Sequence, residues 1–123
     1  MKKNIIIVLV LIVVVIGVYV FVLSNNVSQA KINEFATCIN ESGAKFYGAF
    51  WCSHCQAQKR LFNNSSSLPY VECSTEDGQG QTGDCVLAKI EAYPTWKFSS
   101  GQVKTGELSF NELAELTGCE TLN

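Results

Sequence analysis

Hydrophobic positions fall into two regimes along this chain. Residues 5–23 are Ile, Val, Leu and Phe with Gly17 and Tyr19, and carry no charge. At 1.5 Å per residue, a helix of those nineteen residues is roughly 28 Å long, about the thickness of a bilayer's hydrocarbon core. Beyond Leu23 the apolar residues come in short groups with polar interruptions. Ile32, Phe35, Ala36 and Ile39 recur at helical spacing, so 30–39 reads as an amphipathic helix stopped by Ser42-Gly43. The aromatic run 44–51 is too short for a helix and reads as a strand. Residues 53–63 form a second helix built on Gln56 to Leu61 and ended by Asn63-Asn64-Ser65-Ser66-Ser67. A second strand covers 69–73, with Pro69 at its entrance, where a missing N–H is tolerated. Gly78, Gly80 and Gly83 mark 74–83 as a loop, after which Asp84 is expected to cap a short helix to Ile90. Residues 92–98 and 103–105 flank the turn Ser99-Ser100-Gly101-Gln102 and read as an antiparallel hairpin. Ser109 with Glu112 has the capping-box pattern, Leu113, Ala114 and Leu116 supply an apolar face, and Gly118 ends this last helix.

That order predicts an α/β domain with a central mixed four-stranded sheet and helices on both faces, preceded by one N-terminal transmembrane helix. No internal repeat is visible. The organisation expected is a cytoplasmic N-terminus at 1–4, a transmembrane signal anchor at 5–23, a polar linker at 24–29 and the folded domain at 30–123. Lys2 and Lys3 precede the apolar run and belong on the cytoplasmic side, which exports everything after it. A cleavable signal peptide competes, because Ser28-Gln29-Ala30 offers small residues for cleavage. The run exceeds the usual apolar region of about 7–15 residues in such peptides, which favours the anchor. Both readings put the domain on the extracytoplasmic side, secreted if the segment is clipped.

Composition narrows the function classes. A net charge of −2 with 16% charged residues leaves no electrostatic footprint for nucleic acid. Six cysteines in a small exported domain point to disulfides, which an oxidising compartment permits and a small core needs.

Cys52-Ser53-His54-Cys55 carries the chemistry. Where a strand hands over to a helix, Cys52 falls at the helix N-terminus, whose unpaired N–H groups favour a thiolate, and Cys55 lies one turn further in. The expected roles are Cys52 as nucleophile and Cys55 as resolving thiol, with Ser53 and His54 tuning the pair. An imidazolium at His54 stabilises the thiolate and so makes the pair more oxidising. Two other uses of the pair stand beside this one: an inert local crosslink, and a four-thiolate zinc site with Cys73 and Cys85. Against zinc, Cys73 and Cys85 are too far apart in sequence for the usual ligand spacing, and no metal is expected. A structural bridge between Cys73 and Cys85 closes the Gly-rich loop, which is worth roughly 3 kcal/mol in chain entropy; a second, electron-relaying pair is the alternative. Cys38 and Cys119 pair only by elimination among fifteen possible pairings.

In Tyr93-Pro94-Thr95, a proline at the mouth of a strand is either an ordinary strand-start residue or a cis-proline that presents backbone to an extended substrate. With the Cys-x-x-Cys at a strand-to-helix junction, this Pro-Thr makes 30–119 resemble a thioredoxin, and the resemblance implies a cis Pro94 facing the active site. A narrower likeness is carried by Gly43-Ala44-Lys45-Phe46-Tyr47-Gly48-Ala49-Phe50-Trp51-Cys52-Ser53-His54-Cys55, Gln58-Lys59-Arg60-Leu61-Phe62, Leu68-Pro69-Tyr70-Val71-Glu72-Cys73, Tyr93-Pro94-Thr95-Trp96 and Glu112-Leu113-Ala114-Glu115-Leu116-Thr117-Gly118. These segments resemble the thioredoxin-like domain fused to bacterial vitamin K epoxide reductase homologues. That resemblance implies disulfide exchange with substrate proteins, reoxidation by a quinone-linked reductase, and a Cys73–Cys85 disulfide. One apolar span cannot form the reductase's four-helix bundle, so such a reductase is expected as a separate partner. The position six before Cys52, a buried acid in thioredoxin, is Phe46.

The expectation is therefore a membrane-anchored, extracytoplasmic thiol–disulfide oxidoreductase acting on exported proteins, with no bound cofactor beyond its own Cys52–Cys55 disulfide. An isomerase or reductase would use the same thiols. A non-catalytic zinc- or partner-binding module is the reading from a different class.

Overall fold

The structure, a computed structural model, describes residues 1–122, without the side chains of 25–27. Its first helix, α1, spans Lys2–Glu41. The chain divides into two compact units, Met1–Lys31 and Ile32–Asn123. In the first unit the large apolar side chains from Ile5 to Leu23 are all exposed, as suits a helix whose apolar surface runs all round. It is long and apolar enough to cross a membrane. The helix also runs through the polar stretch 24–29, expected from sequence as a linker, because nothing there is a glycine or proline that would end it. The side chains of 25–27 in that stretch, and residue 123 at the expected end of the domain, lie outside the described residues.

In the second unit follow β1 (Lys45–Gly48), α2 (Ser53–Leu61), β2 (Tyr70–Glu72), α3 (Gly83–Leu87), β3 (Thr95–Lys97), β4 (Val103–Thr105) and α4 (Phe110–Thr117). The sheet order is β2-β1-β3-β4. β1 runs parallel to β2 and antiparallel to β3, which pairs antiparallel with β4. This is the mixed four-stranded sheet that the element order predicts.

Several boundaries differ from the sequence reading, each for a local reason. The expected strand 44–51 ends at Gly48, because the Cys52 N–H turns back to the Ala49 carbonyl at 3.0 Å. The run 92–98 contracts to Thr95–Lys97; Pro94 has no N–H to give a ladder. The run 69–73 contracts to Tyr70–Glu72. Thr82, not Asp84, is the N-cap of α3, and Lys89 in the left-handed region (φ 52°) stops the chain short of a helix to Ile90. By contrast, α4 has the expected capping box between Ser109 and Glu112 and the left-handed Gly118 after it.

Alternation along β1 divides the core between the two faces of the sheet. Phe46 is fully buried with Trp96, Phe62, Ile39 and Leu113 on one face. Tyr47 and Val71 pack on the other, around Cys73, Cys85 and Ile90. The first face is aromatic-rich: Phe46 stacks on Trp96 at 4.8 Å, and Phe110 meets Phe35 and Phe62 edge-on at 5.5 and 5.0 Å.

Two disulfides fasten these layers. Cys38–Cys119 joins α1 to the residue after the cap of α4, and Cys73–Cys85 joins the end of β2 to α3. Their sequence separations are 81 and 12. Loop-closure entropy assigns them about 4–5 and about 3 kcal/mol. Replacing Cys38 and Cys119 together by Ser is expected to lower unfolding stability in urea by about 4 kcal/mol, more than the same change at Cys73 and Cys85.

Candidate active site

The site begins where β1 stops. Cys52 is the N-cap of α2, with extended backbone (φ −78°, ψ 116°), and its sulfur accepts the Cys55 N–H at 3.2 Å. A cap side chain normally supplies oxygen for this bond; here a thiol sulfur occupies the place. Cys52 is 8% exposed and Cys55 is fully buried, and both are free thiols. Ser53, the first helical residue, is exposed.

Gly48 makes room for the second sulfur. A Cβ on Gly48 would stand 2.9 Å from Cys55 Sγ and 2.9 Å from Tyr70 Cε2. Both distances are shorter than packed atoms allow, so only glycine lets α2 settle this close to the sheet. The outcome is chemical as well as steric. Burial, reinforced by the hydrogen bond with Cys52, pushes the Cys55 thiol up to about 12, although the Ala49 backbone pulls the other way. Cys55 therefore stays protonated at neutral pH.

Around the pair stand groups that the motif reading does not name. Tyr70 donates its hydroxyl to Glu72 Oε2 at 2.7 Å, and Glu72 Oε1 accepts the N–H groups of Phe50 at 3.2 Å and Ser74 at 2.9 Å. Burial and then the Glu72 contact raise the Tyr70 phenol above its ordinary range. His54 is turned to Glu107, Nδ1 to Oε1 at 2.6 Å, on an exposed surface. The loop carrying Glu107 is held by buried Gln58, which accepts the Leu108 N–H at 2.7 Å and donates to the Leu108 carbonyl at 3.0 Å. Gly48 had a sequence signal, a glycine inside a strand. Tyr70 and Glu72 had none that singled them out, since strand register alone brings them beside the motif. Glu107 had none.

The Tyr93–Pro94 bond is cis. Since Tyr47 pairs with Thr95, one further step of the antiparallel register sets Pro94 opposite Gly48, at the end of β1 that leads to Cys52. The Tyr93 ring meets the Trp51 ring at 5.8 Å, and the Thr95 hydroxyl turns inward to the Ala92 carbonyl at 2.7 Å. Trp51 is over half exposed, with its Nε1 donating to Ser74 Oγ at 2.9 Å. The structure thus brings Cys52, Cys55 and the Pro94 loop to one end of the two central strands, β1 and β3. It places Cys73 and Cys85 in the cluster on the opposite face, bonded to each other, so the four sulfurs of the zinc alternative are not assembled. Among the described residues no group of three or more His, Cys, Asp or Glu is arranged to hold a metal.

Two free thiols in a Cys-x-x-Cys that caps a helix at the end of a central strand form an arrangement able to support thiol–disulfide exchange. In keeping with it, the chain is similar to the thiol-disulfide oxidoreductase LTO1 of Arabidopsis thaliana, with 45% identity over 85 residues. The match covers 65% of this chain and 22% of that protein, so the chain corresponds to about a fifth of its relative's length. No family model matches the chain.

Gly48→Ala is expected to destabilise the protein by about 1–3 kcal/mol through overpacking against Cys55 and Tyr70. Chemical denaturation of the variant beside an exposed control, Gly83→Ala, where an added Cβ meets nothing within 4 Å, checks the cause.

Proposed function

We propose that this protein is a membrane-anchored thiol–disulfide oxidoreductase whose domain lies on the extracytoplasmic side and oxidises thiols of exported proteins. The observation that carries the reading is the inequality of the two motif cysteines. Cys52 caps α2 and, at 8% exposed, is the less buried of the two, while Cys55 is fully buried beneath it with its proton held by burial. Exchange needs one sulfur that can be reached and one that closes the ring.

In the oxidising direction, a substrate thiolate attacks Cys52 of the oxidised pair. A new S–S bond forms to Cys52, the Cys52–Cys55 bond breaks, and Cys55 leaves with the electron pair and takes up a proton. A second substrate thiolate then attacks the substrate sulfur of the mixed disulfide and releases Cys52. The substrate gains a disulfide, and the enzyme holds two thiols. Renewal requires a disulfide-bearing acceptor, and the sequence resemblance favours a quinone-linked membrane reductase similar to vitamin K epoxide reductase. The backbone at Tyr93-Pro94-Thr95, whose Pro94 and Thr95 side chains are buried, is the wall along which an extended substrate segment would lie. Two disulfides elsewhere in the domain support an oxidising compartment, and the apolar run with Lys2 and Lys3 before it supports the anchor and its orientation.

Cys52→Ala is expected to abolish exchange, and Cys55→Ala to accumulate mixed disulfides visible on non-reducing gels. Exchange that survives both changes contradicts the enzyme reading. The direction is read from the reduction potential of the pair, measured against glutathione: an oxidase requires a value well above thioredoxin's, which is about −270 mV.

A further inference from the structure

Cys55 cannot enter exchange without a route for its proton. Its thiol remains protonated at neutral pH, so the attacking thiolate must form as the new bond forms. β1 offers no acid for this, since Phe46 is fully buried against Trp96 and Gly48 has no side chain. β2 does offer one. In the parallel pairing Phe46 lies beside Tyr70 and Gly48 beside Glu72, and paired residues present their side chains to the same face. On that face the missing Gly48 Cβ would meet both Cys55 Sγ and Tyr70 Cε2. The Tyr70 ring and the sulfur are therefore neighbours, and the Tyr70 hydroxyl is bonded to Glu72. Two backbone N–H groups hold the other Glu72 oxygen, which fixes the carboxylate, and its half-buried position leaves it in exchange with solvent.

We propose that Glu72, oriented by Tyr70, is the general acid–base group that accepts the Cys55 proton when Cys55 attacks and returns it when Cys55 leaves. The inference rests on the exchange role of Cys52 and Cys55 given above. For ring closure the balance is complete. The Cys55 proton passes to the Glu72 carboxylate, the Cys55 sulfur bonds to Cys52, the bond from Cys52 to the substrate sulfur breaks, and the substrate leaves as thiolate with the electron pair. In the reverse direction Glu72 gives the proton back to departing Cys55. Cys52 at the helix cap and Lys59 of α2, whose Nζ stands 3.9 Å from the centre of the Tyr70 ring, also face this group, and α2 further carries His54, paired with Glu107, and Arg60. The alternate residues of β1 and β3, Lys45, Tyr47, Thr95 and Lys97, belong to the other face of the sheet.

The test uses the full chain in detergent with Cys52 in a mixed disulfide with glutathione, and follows glutathione release in single turnover across a range of pH. Glu72→Gln is expected to slow release about tenfold or more near neutral pH, the low end of general acid–base contributions, and to make the rate climb about tenfold per pH unit as hydroxide takes over. Glu72→Asp keeps a carboxylate and is expected to retain the shallower wild-type profile at a reduced rate. Release from Glu72→Gln at the wild-type rate, or slowed by one constant factor at every pH, overturns the proposal. If Glu72→Gln does not fold, Glu72→Asp carries the test, and a steep hydroxide-dependent profile in that variant overturns it. Failure of the underlying exchange reading looks different: glutathione would leave Cys52 as readily in Cys55→Ala as in the wild type.

Discussion

The missing side chain of Gly48 governs the geometry of the dithiol. The second sulfur of the motif, Cys55 Sγ, lies 2.9 Å from where a Gly48 Cβ would stand, and α2 can approach β1 this closely only because that space is empty. From this contact follow the full burial of Cys55, the rise of its thiol to about 12, and the position of Cys52 at the helix cap. Two side chains of identical chemistry, three residues apart, are thereby made unlike. One takes a backbone N–H at the edge of the domain; the other is shut against the sheet.

The remainder of the second unit supports that contact with few residues. Each strand is only three or four residues long, and a core this small gains much from crosslinks. The disulfides take complementary places, one joining the first and last helices and one closing the loop on the opposite face. Buried Gln58 works in the same sense without a covalent bond. It satisfies both backbone groups of Leu108 and so places the neighbouring Glu107 against His54. Second-strand residues complete the surroundings of the site, since Glu72 ties the Phe50 turn to β2.

Much of the fold was legible in the sequence because its signals are local. The Ser109–Glu112 capping box, the Gly118 stop and the helical spacing of Phe35, Ala36 and Ile39 each report on a single turn of chain, and the elements lie in the order they imply. Boundaries were less legible: the apolar runs at 44–51 and 92–98 continue past the ends of the ladders, where a turn at Ala49 and the missing N–H of Pro94 end the pairing. A polar stretch without glycine or proline, 24–29, likewise proved compatible with continued helix. At the site, the motif cysteines and Tyr93-Pro94-Thr95 could be singled out from spacing and residue type. Tyr70, Glu72 and Glu107 could not, because what makes them neighbours of the motif is strand register and loop placement, and these are long-range. Phe46, standing where thioredoxin keeps an acid, pointed to a missing group without indicating where a replacement would lie.

The two thiols are unequal because one is buried against Gly48. Burial disfavours the thiolate, so the sign is fixed: Cys55 keeps its proton to higher pH than a free cysteine. The most direct measurement is a pH titration of the reduced protein by NMR, with carbon-13 in the cysteine Cβ positions and Cys55 assigned through Cys52→Ser. The Cys55 signal is expected to stay flat through the neutral range and to move only as the pH nears about 12. A Cys55 midpoint near the ordinary thiol value of about 8.5 would contradict this.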